Sequence, residues 1–326
     1  MVDFRIGNYL LKPFSIDTKP LMETYLHEVQ SNLSDYSFAA NFMWLANSSG
    51  FYAVVNDTFC LFILNGGELS MLLPPLGKEE KINEAIIICF EIMNTNNTSR
   101  FLSRIDYVDE FYMKNFVHNV EELEIYEILE NYLVEKKMAD YVYDMNDLIE
   151  LRGNSYKSKR NEINNFMKVY PDFTIEVLDP SLHTDEIIEL FNRWVINRMK
   201  YMPKVEVDAF LDGINYERFA IKRILHHYER LELFGMILRI DGKMAGFTVG
   251  ERLNDETATI LIEKTEFDIL GSAQFIFREF CKLLKEHYGS IYINAGDDMG
   301  FENLRKVKLS YRPMKLLPKY SIYQKN

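Results

Sequence analysis

Twice along the chain, three strand-length apolar runs separated by turn residues lead into a helical pattern. In the first half the runs are Phe51–Val55, Thr58–Leu64 and Leu69–Leu73, parted by Asn56-Asp57 and Asn65-Gly66-Gly67. A helical pattern over Glu79–Met93 follows, with Ile82, Ala85, Ile86 and Phe90 on one stripe. In the second half the runs are Phe234–Ile240, Lys243–Arg252 and Thr257–Lys264, parted by Asp241-Gly242 and Asn254-Asp255, and a helix is expected over Ser272–His287. Short apolar runs joined by Asp-Gly or Asn-containing dipeptides read as antiparallel hairpins. A helix after each meander must bury its stripe on the sheet beside it. The period is half the chain, too long for a solenoid. The pattern predicts two similar α/β (α+β) modules, each a mixed, mostly antiparallel sheet flanked by helices. A chain of 326 residues has the length for two such domains.

The remaining elements are set by weaker signals. A helix is expected over Asp17–Asn32, with Leu21, Tyr25, Leu26 and Val29 on one face. Residues 104–150 hold 13 acidic against 4 basic residues, which predicts the solvated face of a helix around Val120–Val134. Residues 151–170 reverse the sign, with five basic residues and one acidic, and Pro171 ends that segment. The reversal puts the domain boundary within 145–175, giving domains of 1–150 and 151–326. A strand over Thr174–Leu178, helices over His183–Arg198 and Tyr216–Glu229, a strand over Ile291–Asn294, a helical Phe301–Lys308 and a strand at Tyr320–Tyr323 complete the second half.

Charge and cysteine usage exclude several classes. The chain carries 49 acidic and 37 basic residues, a net of −12, so its surface as a whole opposes duplex DNA. An anionic ligand needs a local basic site, and residues 151–170 and 297–326 each supply a surplus of +4. Cys60, Cys89 and Cys281 form no metal-spaced pair and read as buried thiols. His226 and His227 are adjacent on a helix and point apart, so a shared metal is not expected. The start of the chain lacks the apolar core of a signal peptide. Runs such as Ala85–Phe90 fall short of a membrane span, and a cytoplasmic location is expected.

The turn before the last long helix carries the clearest chemical signal. In Asp268-Ile-Leu-Gly271-Ser272-Ala273, small residues open a helix N-terminus, where backbone N–H groups and the helix dipole favour an anion. The arrangement resembles the acyl-coenzyme A motif of the GNAT superfamily of N-acetyltransferases. Gly271 and Ala273 match, while Asp268 replaces a basic or amide residue and would repel a pyrophosphate. A plain strand-to-helix turn accounts for the same glycine.

Two longer stretches, Leu151–Pro171 and Ile293–Tyr320, together with Ile262-Glu263-Lys264, extend the resemblance. They are similar to an uncharacterised bacterial family related to the C-terminal domain of phosphatidylglycerol lysyltransferase. The resemblance implies two tandem acetyltransferase-like domains, as in the Fem aminoacyltransferases of peptidoglycan bridges. In the lysyltransferase relatives the donor is aminoacyl-tRNA and the acceptor a lipid reached through a membrane domain, which this chain lacks.

Candidate roles follow for the second module. Lys159, Arg160 and Asn164 share a helix face and could cradle a phosphate-bearing donor with Gly271, Ser272, Ala273 and Arg305; a solvated helix face is the plainer reading. Glu263, at the end of the third strand, could deprotonate an amine directly or through water, or belong to an ion pair around Lys264. Asp297 could take part in catalysis, and Asn294 and Asp298 could hold the acceptor; N-capping accounts for the aspartates equally. Tyr311 or Tyr292 could return a proton to the leaving group. The expected function is an acyl- or aminoacyltransferase working by direct transfer, with no tightly bound cofactor and with acyl-CoA or aminoacyl-tRNA as donor. The acceptor would be a small molecule or peptide, and the acceptor end of a tRNA a possible partner. The alternative is a non-catalytic ligand-binding protein with a decayed donor site.

Overall fold

The computed structural model describes residues 3–29, 31–45, 49–113, 126–128, 132–203 and 207–325. They form two compact units. One is Met1–Asp140 with Leu317–Asn326, and the other is Tyr141–Leu316. The division falls just before the expected window, and the last ten residues return to the first unit. The cause is strand pairing, which the charge reversal near residue 150 does not report.

The first unit comprises β1 (Phe4–Ile6), β2 (Tyr9–Pro13), α1 (Lys19–Leu26), α2 (Phe38–Trp44), β3 (Ser49–Val55), β4 (Thr58–Asn65), β5 (Glu68–Met71), α3 (Glu79–Asn96), β6 (Arg104–Val108), α4 (Glu110–Met113), β7 (Tyr126–Ile128) and most of β8 (Tyr132–Asp144). Its strands run in the order β1, β2, β3, β4, β5, β6, and then β14 (Lys315–Gln324), whose Tyr320–Tyr323 pairs antiparallel with β6. The two tight hairpins turn on Asn56-Asp57 (φ 47° and 59°) and Gly66-Gly67 (φ 59° and 89°), left-handed pairs that match the strand twist. Ile82, Ala85, Ile86, Cys89 and Phe90 of α3 are buried, as the stripe requires.

Two expectations fail here. The first helix ends at Leu26 rather than near residue 32. Ser31 Oγ accepts the amide of Leu33, a local bond that competes with helix continuation. The helix expected over Val120–Val134 lies partly outside the described residues, and its described parts are strand. Tyr126, Glu127 and Ile128 pair with Glu135, Val134 and Leu133 of β8. Cross-strand pairing decides a segment whose sequence suits either period.

The second unit begins at Tyr141, near the end of β8. It adds α5 (Met145–Glu150), α6 (Lys157–Val169), β9 (Thr174–Val177), α7 (Pro180–Lys200), α8 (Val207–His226), β10 (Phe234–Ile240), β11 (Lys243–Arg252), β12 (Thr257–Thr265), α9 (Ser272–Tyr288), β13 (Tyr292–Asn294) and α10 (Glu302–Ser310). The expected meander is present, with Asp241-Gly242 left-handed at φ 50° and 75°. Strand order is β9, β10, β11, β12, β13 and the end of β8, antiparallel except for β12–β13. Asp179 Oδ1 accepts the Ser181 amide and caps α7 three residues earlier than expected, with Pro180 in its first turn. The core packs Phe275, Ile276, Phe280, Cys281 and Leu284 of α9 against Leu238, Ala258 and Ile293 of the sheet and Phe166 of α6. All three cysteines are buried and free, and the Cys89 thiol lies 3.4 Å from Cys60 Sγ.

Candidate functional site

The entry to α9 is a close helix crossing. Gly271 has φ +86°, and a Cβ there would lie 2.4 Å from the Glu162 carbonyl oxygen of α6. Only glycine meets both demands. Ser272 is buried and donates its hydroxyl to the Ile269 carbonyl at 2.7 Å, which closes the turn. The Phe166 and Phe275 rings, 4.8 Å apart, hold α6 against α9 just behind it.

This crossing opens into a cavity of about 540 Å³, within the size range of small-molecule sites. Asn161, Glu162 and Asn165 line it from α6, Trp194 from α7, and Thr265–Phe267 with Ile269–Gln274 from the end of β12 to the first turn of α9. The N–H groups of a helix's first turn have no intrahelical acceptor, so Ser272 and Ala273 offer a polar floor to a mainly apolar rim. Glu266 is held by Arg193 at 2.6 Å, and Glu162 accepts the Ser158 hydroxyl at 2.7 Å. Asp268 is exposed and is not among the lining residues.

Beside the cavity the sheet parts. β12 pairs with β13 only through Thr257–Thr259, where the Thr259 hydroxyl donates to the Asn294 carbonyl at 3.0 Å. From Ile260 to Thr265 it pairs with β11 alone among the described residues, and a bulge at Leu261 shifts that ladder by one residue. Bulges of this kind re-aim side chains and end pairing next to functional sites.

Glu263 stands on this unpaired half of β12. Its Oε2 is buried with no hydrogen-bond partner, and burial raises its pKa from 4.5 to about 8 against the opposing pull of Lys264. The expected alternative, an ion pair around Lys264, does not include it. Lys264 Nζ binds Glu217 at 2.9 Å and lies 4.0 Å from the centre of the Trp194 ring. Glu263 is not on the cavity wall, although Thr265, two residues on, is.

Tyr311 is buried, and the Lys159 ammonium sits 4.4 Å above its ring. Burial and then the charge of Glu263 push the Tyr311 hydroxyl well above its usual pKa. Burial lowers the pKa of Lys159, with Glu162 opposing. Glu263, Tyr311 and Lys159 are thus electrostatic neighbours, as the sequence reading required.

The other expected site residues go elsewhere. Arg160 donates to the Leu151 and Gly153 carbonyls and clamps the turn before α6. Asn164 is exposed, and it is Asn161 and Asn165 that face the cavity. Asn294 Oδ1 accepts the Gly296 amide, Asp297 Oδ1 the Met299 amide and Asp298 Oδ1 the Gly300 amide. Asp298 Oδ2 also accepts the Tyr141 hydroxyl at 2.6 Å, and Lys308 Nζ donates to the carbonyls of Ala295, Gly296 and Asp297. These bonds tie residues 294–300 into a closed loop. Arg305 is exposed on α10. Of the residues named from sequence, Gly271, Ser272 and Ala273 line the cavity; Glu162, Trp194 and the two asparagines were missed. The i, i+4 spacing of Asn161 and Asn165 was the available signal. Among the described residues no group of three His, Cys, Asp or Glu side chains could hold a metal, and no helix is long and apolar enough to cross a membrane.

A parted sheet next to a small-residue helix N-terminus, in a chain of two α/β units, defines a tandem acyltransferase fold of the GNAT type. A tandem GNAT protein of the clavulanic acid biosynthesis pathway superposes with a TM-score of 0.51 at 8% identity, covering 96% of this chain and 98% of that one. The chain belongs to the family described as phosphatidylglycerol lysyltransferase, C-terminal, which matches residues 27–323. A conserved protein of unknown function from Bacteroides thetaiotaomicron has a TM-score of 0.80 and 27% identity over 97% of this chain and 99% of its own. The L-PGS structure from Bacillus licheniformis has a TM-score of 0.66 at 17% identity, over 99% and 95%. An uncharacterised protein of Mycoplasmoides gallisepticum is 23% identical over 190 residues, 58% of this chain and 58% of that protein's length.

Proposed function

We propose that the second unit transfers an acyl or aminoacyl group from a phosphate-bearing donor, acyl-CoA or aminoacyl-tRNA, directly to an amine or hydroxyl. The observation that carries this reading is the cavity built on Gly271, Ser272 and Ala273 at the N-terminus of α9. First-turn amides suit the donor's phosphate or the developing oxyanion. The acceptor nitrogen or oxygen attacks the donor carbonyl, the new amide or ester bond forms, and the C–O or C–S bond to the donor breaks. The acceptor's proton passes to a base, and the leaving oxygen or sulfur takes one up. Glu263, with a pKa of about 8, is the proposed base, and Tyr311 the proposed route of the returning proton. Lys159 is proposed to meet the donor's negative charge. Asn294, Asp297, Asp298, Arg160 and Arg305 act in this reading by shaping the surrounding loops and surface.

A second reading, a ligand-binding protein without turnover, is favoured by the sealed position of Glu263 behind the cavity wall and by Asp268 at the turn. Acceptor-dependent release of free tRNA from mixed aminoacyl-tRNAs, or of free thiol from acyl-coenzymes A, separates the two. Release that falls by about a hundredfold or more in Glu263→Gln supports transfer. Binding of either donor without release supports the second reading and removes the first.

A further inference from the structure

We infer that α10 and its flanks form a docking face for an anionic lipid surface. No residue of α10 is buried. The segment around it displays large apolar side chains to solvent: Met299 is 65% exposed, Phe301 57%, Val307 48%, Met314 57% and Leu316 47%. Apolar residues scattered singly over a surface are ordinary, but these fall within eighteen consecutive positions of one unit.

The same positions carry the opposite charge to the rest of the protein. Residues 299–316 hold five basic residues and one acidic, in a chain of net charge −12. Arg305, Arg312 and Lys315 are exposed. The single acidic residue, Glu302, lies 3.6 Å from Lys306 and offsets that cation alone. Lys308 is occupied by the carbonyls of residues 295–297, which fixes the loop that presents Met299 and Phe301.

Exposed cations interleaved with Phe, Met and Leu suit a bilayer interface, where the apolar groups enter the headgroup boundary and the cations meet anionic lipid. RNA satisfies the cations but leaves the methionine and leucine side chains in water, so the apolar half of the pattern favours lipid. A handful of side chains supports weak, reversible attachment and not insertion. This inference does not depend on transfer activity, and its test does not measure it.

The test is co-sedimentation of the full chain with phosphatidylcholine vesicles, with and without an equal part of phosphatidylglycerol. Binding is expected only to the anionic vesicles, and to weaken with added salt. Arg305→Ala with Lys315→Ala should weaken it about tenfold or more, each cation near such a surface contributing roughly that order. Phe301→Ser with Met314→Ser should weaken it comparably while unfolding cooperatively at an unchanged temperature, both side chains being exposed. Equal binding to both vesicle types, or none, overturns the inference. So does a gel shift with bulk tRNA that is lost with the two cations and indifferent to the apolar pair, which would assign the face to RNA. A dimer in light scattering that Phe301→Ser dissolves would assign it to a second copy.

Discussion

Thr248 of β11 and Glu263 of β12 stand directly opposite each other in the antiparallel ladder, and each has a buried side-chain oxygen without a hydrogen-bond partner. Directly opposed side chains lie about 5 Å apart at Cβ. Two unsatisfied polar groups side by side are costly unless the carboxyl is neutral, and burial holds it so.

The pH dependence of stability should report that carboxyl. Its folded pKa, about 8, lies above the ordinary 4.5, so the folded state keeps a proton that the unfolded state releases. The stability it contributes is complete below pH 4.5 and is lost as pH rises through 8. Over that window the group lowers stability by up to about 1.4 kcal/mol per pH unit. Urea midpoints of wild type and Glu263→Gln across the window should diverge, with the variant flatter. Parallel curves would show that Glu263 titrates normally.

Thr248→Val removes one unsatisfied hydroxyl and leaves the shape nearly unchanged. Stability should hold or rise by up to about 1 kcal/mol, since no hydrogen bond is lost. A loss of that size in chemical denaturation would mean that the hydroxyl is bonded in solution.

Gly271→Ala and Gly153→Ala separate conformation from space. Both glycines are left-handed, at φ +86° and +85°, but only Gly271 has neighbours where a Cβ would go. Gly153→Ala should cost about 1 kcal/mol. Gly271→Ala should cost at least about 2 kcal/mol more, because α6 must move away, and should weaken any ligand of the cavity. Equal costs would contradict the packed crossing.

In the first unit, Lys319 Nζ is buried 2.5 Å from Asp35 and 2.7 Å from Asp140, which is itself fully buried and accepts Ser34's amide and hydroxyl. Lys319→Met should cost roughly 3–5 kcal/mol by leaving a buried carboxylate without its cation. Adding Asp140→Asn should recover part of that cost in a double-mutant cycle. Strictly additive losses would show that the two groups do not interact.

Local pattern carried much of the architecture. Apolar alternation, two-residue turns and the α9 stripe lie within a few residues of one another, and the meanders they specify are present at Phe51–Met71 and Phe234–Thr265. Small residues at Gly271-Ser272-Ala273 likewise located one wall of the cavity before any contact was known. Where local terms nearly balance, the sequence alone misleads: the strand at Tyr132–Asp144 owes its conformation to pairing partners, and the charge step near residue 150 sits inside neither unit's edge.

Side-chain roles were the least legible, because a polar residue's partner is set by distance in space. Arg160 and Asp298 have the chemistry of a donor or acceptor site, yet the backbone groups nearest them claim their hydrogen bonds. Glu263 has the chemistry of an ion-pair partner, yet β12 carries Lys264 to Glu217 and leaves Glu263 buried alone. Periodicity decided which residues could form strands and helices; the tertiary packing of α6, α9 and β12 decided which of them face a cavity, which are sealed, and which charge goes unanswered.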